Sequence, residues 1–341
     1  LNGEKKEYYE NGQLKMEGSY TNGIQTGLWK EYDNNGMANG EWITYSSNGA
    51  KKQSQRYEND TLSELFSFNE NGDWSGSCEY YYDNHKLKYI GTYLNGKKTG
   101  EWKFYHDNGQ LEDVGSYIED KQTGLWTVYY SNGNIEEIGQ YNDETQIGAW
   151  KIYYENGKIE EEGSYTNEGD ENGEWKFYHE NGQLSDLEIY ADGVEIGEWK
   201  SYHENGQLEM QGTFIHGKEE GEWKYYHENG ELSNFENYSN GLAIGEWKTY
   251  YDNGQVRRIG TYTVGSPSGT WNIYHPNGKL RNSGSYNNGQ KNGEWKTYYD
   301  NEILKEVGIY VNGNETGEWK IYHTNGQLYL ALLLEKGKVM D

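Results

Sequence analysis

Six of the eight histidines recur at one position of a sequence repeat, so they are the first residues to consider as metal ligands. They are His106, His179, His203, His227, His275 and His323. Equivalent residues of successive β-hairpins lie two strands apart, or roughly 9.6 Å, whereas zinc requires ligands at about 2.1 Å. Tyrosine takes the same position in other repeats. We therefore predict an aromatic packing position here, with no metal and no cofactor.

No set of residues has the spacing of a catalytic centre. Cys78 is the single cysteine, and it stands where the repeat otherwise has tryptophan, so we expect it to pack. The recurring His-Glu-Asn-Gly runs lack the second histidine of a zinc-protease helix. No nucleophile elbow or phosphate-binding glycine loop is present. The irregular zone 51–90 supplies no combination of acid, base and nucleophile. The chain is therefore predicted not to be an enzyme.

Tryptophan reveals the repeat that positions all these residues. The regular tryptophans recur every 24 residues, apart from a one-residue slip within residues 167–170. Cys78, Leu65 and Lys5 continue the phase backwards, and we count about fifteen units in one array covering 1–341. Two units are short, Trp29 to Trp42 and Leu65 to Cys78, and we expect kinks there. The regular tryptophans are Trp102, Trp126, Trp150, Trp175, Trp199, Trp223, Trp247, Trp271, Trp295 and Trp319.

Each regular unit has the pattern of a β-hairpin. Asn-Gly follows six residues after the tryptophan, which predicts a two-residue type I′ turn with positive φ at both residues. In one unit this register places Trp223 opposite Glu236 and His227 opposite Leu232. Most other units have glycine opposite the tryptophan, and we expect the indole to cover that cross-strand glycine. Where His85 and Glu302 replace the turn glycine, the turn should be strained or differently shaped.

Alternation of side chains sorts each hairpin into two faces. One face carries the tryptophan row with later tyrosines, and the other carries residues such as Glu101, Lys103 and Tyr105. The ten regular tryptophans are therefore a candidate binding face for a glycan, a peptide or a protein surface. The alternative is that these rings form the core, because neighbouring hairpins have little else to bury.

Charge and composition exclude several partners. The net charge is -26, which would repel a nucleic-acid backbone and an anionic bilayer. Only 33% of residues are hydrophobic, yet 16% are aromatic, which favours a folded chain over a disordered one. No apolar run is long enough to predict a membrane span. The sequence starts at Leu1, so we expect a processed or trimmed chain with an exported or cell-surface location, and a cytoplasmic one as the alternative.

The repeat resembles the bacterial MORN-variant repeat of proteins labelled YwqK-family antitoxin components. One unit carries the likeness through Gly221, Trp223, Tyr226, Asn229 and Gly230, followed by Leu232 and Tyr238, and departs from it at Glu236. The likeness extends over about residues 3–328. It implies an antiparallel sheet of stacked hairpins, with scaffolding and protein contact as functions, and lipid binding proposed for some members. Choline-binding cell-wall repeats are similar too, although lysine here follows most of the tryptophans directly.

We therefore predict an all-β fold, an elongated solenoid of tandem antiparallel β-hairpins forming one continuous twisted sheet. The predicted function is an extended acidic scaffold that binds a protein partner or itself. A carbohydrate or cell-wall binding module and an antitoxin-like neutraliser of a protein toxin are the alternatives. The apolar terminal strand 329–334 interrupts the pattern, and we predict that Leu330, Leu332 and Leu334 form a docking edge, or that they cap their own array.

Overall fold

A computed structural model describes residues 1–340, and no helix occurs among them. The chain divides into two units, Leu1–Asp170 and Glu171–Asp341. The division falls at the end of the segment that contains the one-residue slip in the repeat. Each unit is built from consecutive hairpins, and each is described by itself.

The first unit contains strands β1 to β14. These are β1 Gly3–Tyr8, β2 Leu14–Thr21, β3 Ile24–Glu31, β4 Gly40–Tyr45, β5 Lys51–Glu58, β6 Thr61–Phe68, β7 Trp74–Tyr81, β8 Leu87–Leu94, β9 Lys97–Tyr105, β10 Leu111–Ile118, β11 Lys121–Tyr129, β12 Ile135–Asn142, β13 Thr145–Tyr153 and β14 Ile159–Tyr165.

The second unit contains strands β15 to β31. These are β15 Gly173–Tyr178, β16 Leu184–Ala191, β17 Val194–Glu195, β18 Gly197–Tyr202, β19 Leu208–Ile215, β20 Lys218–Tyr226, β21 Leu232–Ser239, β22 Leu242–Ala243, β23 Gly245–Tyr250, β24 Val256–Thr263, β25 Ser266–Tyr274, β26 Leu280–Asn287, β27 Gln290–Tyr298, β28 Leu304–Val311, β29 Asn314–Tyr322, β30 Leu328–Glu335 and β31 Lys338–Val339.

Strands pair antiparallel with their neighbours in sequence within each unit, as in the series β9, β10, β11 and β12. The short strands β17 and β22 pair with the same strand as β18 and β23, respectively. The predicted all-β array of tandem hairpins is therefore confirmed. This topology follows from the sequence, because short connections between consecutive strands allow only local antiparallel pairing. The elongated shape stays a prediction.

The Asn-Gly turns differ in type from the prediction. In the unit of Trp102, the Gly109 amide donates to the His106 carbonyl at 2.8 Å, and the His106 amide donates to the Gln110 carbonyl at 2.9 Å. Only Gly109 has a positive φ, +88°, whereas Asn108 does not. This is the pattern of a type I turn closed by a glycine bulge, so the predicted type I′ geometry is wrong.

The glycine bulge shifts the register near each Asn-Gly turn. Leu232 pairs with Tyr226 rather than with His227, which corrects the predicted pairing. Beyond the bulge the predicted register is right, because Trp223 pairs with Glu236. His85 and Glu302 keep the common turn shape with φ of 64° and 67°, so these turns are strained, as expected for residues with a Cβ.

The type I′ turns occur instead between hairpins. Asn95 and Gly96 have φ of 51° and 80°, and Glu119 and Asp120 have φ of 51° and 72°. Such turns match the right-handed twist of the flanking strands. Val264 has a φ of 47° in one of them, a conformation that a β-branched side chain disfavours.

The two short units lack a full return strand, as predicted. Strand β3 pairs directly with β4 through Trp29 and Ile43, and β6 pairs directly with β7 through Phe66 and Cys78. The first strand of the following unit therefore replaces the missing return strand. The alternating antiparallel order continues through both sites.

Most of the regular tryptophans cover a glycine, but the glycine belongs to the preceding hairpin. Gly115 pairs with Trp102 in the register, yet a Cβ added to Gly115 would lie 2.1 Å from Cδ2 of Trp126. The reason is a bulge in the pairing of β10 with β11. Val114 pairs with Thr127 and Ser116 pairs with Thr123, so three residues of β11, ending at Trp126, have no register partner on β10. The predicted cover by the cross-strand indole is therefore corrected, and the contact locks successive hairpins together.

Candidate functional site

The tryptophan row, meaning the ten regular tryptophans, lies mostly in the core. Trp102 is only 1% exposed, and Trp199 and Trp247 are the half-buried members. Indole N–H groups in the row also donate to the preceding hairpin, as from Trp102 to the Thr92 carbonyl at 3.2 Å. The buried members are Trp102, Trp126, Trp150, Trp175, Trp223, Trp271, Trp295 and Trp319.

Aromatic rings of the intervening strands separate these indoles. Tyr117 meets Trp102 and Trp126 edge-to-face, with centroid distances of 6.0 and 5.1 Å and an angle of 83° in both pairs. Tyr141 continues the series to Trp150 at 5.1 Å and 89°. This geometry brings the positive edge of one ring to the negative face of the next. The candidate binding face is thus largely occupied by the chain's own side chains.

The greater exposure of the two half-buried tryptophans has one explanation. Trp199 and Trp247 follow the only two regular hairpins in which glutamate, Glu188 or Glu236, replaces the covered glycine. An indole cannot lie against these side chains as it does against glycine. Glu188 accepts a hydrogen bond from the Tyr190 hydroxyl at 2.7 Å. Burial raises the pKa of the Glu188 carboxyl, partly offset by this hydrogen bond.

The recurring histidines and tyrosines occupy an aromatic slot beside each Asn-Gly turn, at positions such as His106, Tyr130 and His179. His106 Nε2 lies 2.8 Å from the Tyr129 carbonyl, and the Tyr130 hydroxyl donates to the Tyr153 carbonyl at 2.6 Å. The polar tip therefore bonds the backbone of the next hairpin, 23 residues ahead. Hydrogen bonding between hairpins is a role that the sequence interpretation missed.

The turn asparagines form a second row of the same kind. Asn205 Nδ2 donates to the Glu228 carbonyl, 23 residues ahead, at 2.9 Å, while its Oδ1 accepts from the Gln207 amide at 2.9 Å. The side chain closes its own turn and bonds the next one. The recurrence of asparagine is therefore explained by its amide group rather than by a positive φ.

The opposite, outward face carries ion pairs beside tyrosines. Lys224 Nζ lies 2.9 Å from Glu222, and the same pairing recurs between Lys200 and Glu198 at 2.9 Å. Phe235 is half-buried between Lys224 and Lys248, its register partners on the two sides. Exposed ion pairs of this type stabilise a fold little. They do present a regular series of charges and rings to solvent.

The remaining candidate groups have structural surroundings. Cys78 is fully buried, and burial raises the pKa of its thiol to about 11, so it remains protonated at neutral pH. Among residues 1–340, no group of three or more His, Cys, Asp or Glu side chains is arranged to hold a metal ion. Within the same residues, no helix is long and apolar enough to cross a membrane.

The leucines of the predicted docking edge differ in burial, because β30 pairs with β29. Leu332 pairs with Trp319, and Leu334 is buried, with only 7% exposed. Leu330 and Leu333 are exposed, at 39% and 54%. Leu332 takes the position at which other hairpins have the covered glycine. Leu334 therefore extends the core, and the exposed Leu330 and Leu333, which lie on opposite faces of the strand, keep the docking prediction open.

A family model described as MORN repeat variant matches more than half of the chain. Its matches are residues 1–22, 98–119, 122–143, 146–167, 171–192, 195–216, 219–240, 244–263, 267–288, 291–312 and 315–331. The chain belongs to the MORN repeat variant family. This confirms the resemblance predicted from the Trp, Asn-Gly and Gly-x-Tyr pattern. The unmatched stretch 23–97 holds both short units and the irregular zone.

MORN repeats are generally protein-interaction and scaffold repeats, and the family is non-catalytic. No curated protein matches the chain. A mutant Tc holotoxin pore of Photorhabdus luminescens is 12% identical over 98% of this chain and 18% of its own, with a TM-score of 0.18. The TcdB2-TccC3 structure is 14% identical over the same shares, with a TM-score of 0.17. At such scores these structures say nothing about function.

Proposed function

We propose that the chain is a non-enzymatic scaffold that binds a protein partner through its outward face. The observation that carries the proposal is the contrast between the two faces. Most of the tryptophan row is buried against glycine and tyrosine of the same chain, whereas the outward face repeats half-buried tyrosines next to Glu-Lys pairs. Tyrosine is enriched at protein interfaces because it offers a rigid apolar body with a polar tip.

The outer patch, defined as Tyr226, Phe235, Tyr250 and Ile259, is the part of this face that best fits a contact surface. Phe235 and Ile259 flank Lys248 on neighbouring strands. All four side chains are half-buried, so they are fixed by their neighbours yet reachable. Pre-organised aromatic and aliphatic groups bind with a small loss of side-chain entropy.

Affinity capture from the source organism with quantitative mass spectrometry tests the proposal. A protein recovered by the native chain should be lost with the variant Tyr226→Ser/Tyr250→Ser. It should be retained by Glu204→Ser/Glu228→Ser, which alters exposed turns of the same unit. Purified partner should then bind the patch variant at least tenfold more weakly. Equal losses with both variants would show that the outward face is not the contact surface.

Glycan binding is the second candidate, and Trp74 is the observation in its favour. This tryptophan lies outside the repeat phase, is 41% exposed, and stacks on Phe66 at 4.8 Å and 17°. A partly exposed, supported indole can stack on a sugar ring. If it does, cell-wall polysaccharide should change the fluorescence of the native chain, and Trp74→Ala should abolish the change. A response that persists in Trp74→Ala but is lost in Trp247→Phe would place the glycan elsewhere.

A further inference from the structure

The aromatic slots differ in what covers their rings. In four hairpins a basic side chain of the same hairpin reaches over the slot tyrosine. Lys88 Nζ lies 5.2 Å from the ring centroid of Tyr82, and Arg257 lies 5.9 Å from that of Tyr251. The other two pairs are Lys15 with Tyr9 and Lys305 with Tyr299. These distances are those of a cation held over an aromatic ring.

Three successive hairpins of the first unit carry glutamate at the position of that cation. Glu112, Glu136 and Glu160 stand where Lys88 stands in the preceding hairpin. Their slot residues are His106, Tyr130 and Tyr154. The Tyr130 hydroxyl is committed to the Tyr153 carbonyl, so its ring is held in place. These three hairpins therefore have the same aromatic position as the four hairpins with a cation over the ring, but they carry a negative charge beside it.

The carboxylates of this stretch act electrostatically on its slot tyrosine. The pKa of Tyr130 is raised by burial and then by the negative charges of Glu136, Glu160 and Glu155. Glu137, on the same return strand, also has a raised pKa, caused by burial and by the charges of Glu136 and Asp113. Lys158 is the nearby basic residue, and its equivalent Lys86 reaches the next turn, at 2.7 Å from the Asn108 carbonyl.

We propose that the acidic slots, meaning His106, Tyr130 and Tyr154 with Glu112, Glu136 and Glu160, bind the basic side chains of an extended partner segment. The four hairpins with a cation over the slot tyrosine show the geometry expected of the bound side chain, because there the chain's own lysine or arginine supplies the cation. In the acidic slots a partner supplies it. The proposal rests on the proposed function only in taking the partner to be a protein, and it uses another surface.

The spacing of the slots selects the conformation of that segment. Equivalent positions of successive hairpins are about 9.6 Å apart, two strand spacings. A polyproline II helix has three residues per turn and rises about 3.1 Å per residue, so every third side chain lies on one face at about 9.3 Å. A β-strand would present every second residue at under 7 Å. The partner segment therefore carries lysine or arginine at every third position.

A fluorescent peptide of four Arg-Pro-Pro repeats tests this with the full chain at 0.15 M salt. Its binding should weaken about tenfold in Glu136→Lys/Glu160→Lys, which recreates the self-covered slots. The matched control is Glu204→Lys/Glu228→Lys, with the same charge change at exposed turns of the second unit, and it should bind like the native chain. Unchanged circular dichroism and thermal midpoint establish folding, and Glu136→Gln/Glu160→Gln serves if the lysine variant unfolds.

A second peptide of the same composition with its arginines contiguous tests the spacing, and it should bind several-fold more weakly. Equal binding of the two peptides, or equal weakening by the two charge variants, would leave only general attraction to an acidic chain and overturn the proposal. The variant Tyr226→Ser/Tyr250→Ser should bind the peptide normally. This variant therefore distinguishes an error in the proposed peptide binding at the acidic slots from an error in the proposed protein contact at the outer patch.

Discussion

At the scale of single residues, the contact between tryptophan and glycine organises the protein. Trp126 lies so close to Gly115 that no Cβ fits between them. Glycine is thus required at this position by close packing rather than by its backbone angles. Gly124, a glycine within the next strand, β11, has the opposite character, with a φ of +69° and open space around it.

Two glycine substitutions separate these roles. Gly115→Ala should lower the free energy of unfolding by about 1–3 kcal/mol or more, because the indole of Trp126 must move. Gly124→Ala should cost only about 1 kcal/mol, the strain of a positive φ. Chemical denaturation measures both. A smaller loss for Gly115→Ala than for Gly124→Ala would contradict the packing geometry.

Half-buried carboxyl groups give the stability a pH dependence. Burial, together with nearby carboxylates, raises the pKa of Asp113 and Glu137. Their protonation therefore favours the folded state: the stabilisation is full below the unfolded pKa of about 4 and is lost as pH rises through the folded pKa. We expect Asp113→Asn/Glu137→Gln to gain stability at pH 7 relative to the native chain, and to lose that advantage towards pH 4. Parallel pH profiles of the two proteins would refute this.

At the scale of elements, the two kinds of turn do different work. The Asn-Gly turns bond neighbouring hairpins through the asparagine amide, and the type I′ turns set the strand twist. Val264 is the poorest fit to its turn, with a φ of 47° where equivalent positions have residues such as Asn240 and Asn288. Its side chain is 69% exposed, so little packing compensates for the strain.

Replacing this valine should therefore stabilise the protein. Val264→Asn is expected to raise the free energy of unfolding by about 1 kcal/mol, because asparagine tolerates a positive φ. Val311→Asn is the matched control, since Val311 is 50% exposed on the same edge but has no positive φ. Thermal unfolding of both variants measures the difference. A gain in Val311→Asn as large as in Val264→Asn would show that removing an exposed apolar side chain, rather than relieving backbone strain, stabilises the protein.

The repeat, the hairpins and most of the register could be predicted from the sequence, because the period of Trp223 and its relatives is unambiguous. The turn type could not, since Asn-Gly suits both a type I′ turn and a type I turn with a glycine bulge. The sequence predicts the indole contact in the wrong hairpin, because the three-residue bulge that ends at Trp126 has no sequence signal beyond Gly124. The acidic slots were missed because the pattern of cations over tyrosines, as at Lys88, requires three-dimensional positions.

At the scale of the whole molecule, the apolar terminal strand is the feature that most invites association. Leu330 and Leu333 are exposed, whereas Leu332 pairs with Trp319 and Leu334 is buried. If the strand docks, Leu330→Lys/Leu333→Lys should reduce self-association or partner binding without unfolding the chain. Leu332→Lys/Leu334→Lys should instead unfold the last hairpin. Light scattering and hydrogen exchange distinguish these outcomes, and unchanged association in the first variant would exclude docking.

The bonds from His179 and Asn181 to carbonyl groups 23 residues ahead have a consequence for how such a chain can change its length. Deleting Lys200–Trp223 joins Trp199 to Lys224, and the same donors then find the carbonyls of Tyr226 and Glu228. We expect this protein, shortened by 24 residues, to fold with a single cooperative transition. Deleting one residue fewer leaves an extra residue in one strand and should destabilise it. Evolution can therefore add or remove whole hairpins without rewriting their neighbours, and the number of repeats is a freely adjustable property of the molecule.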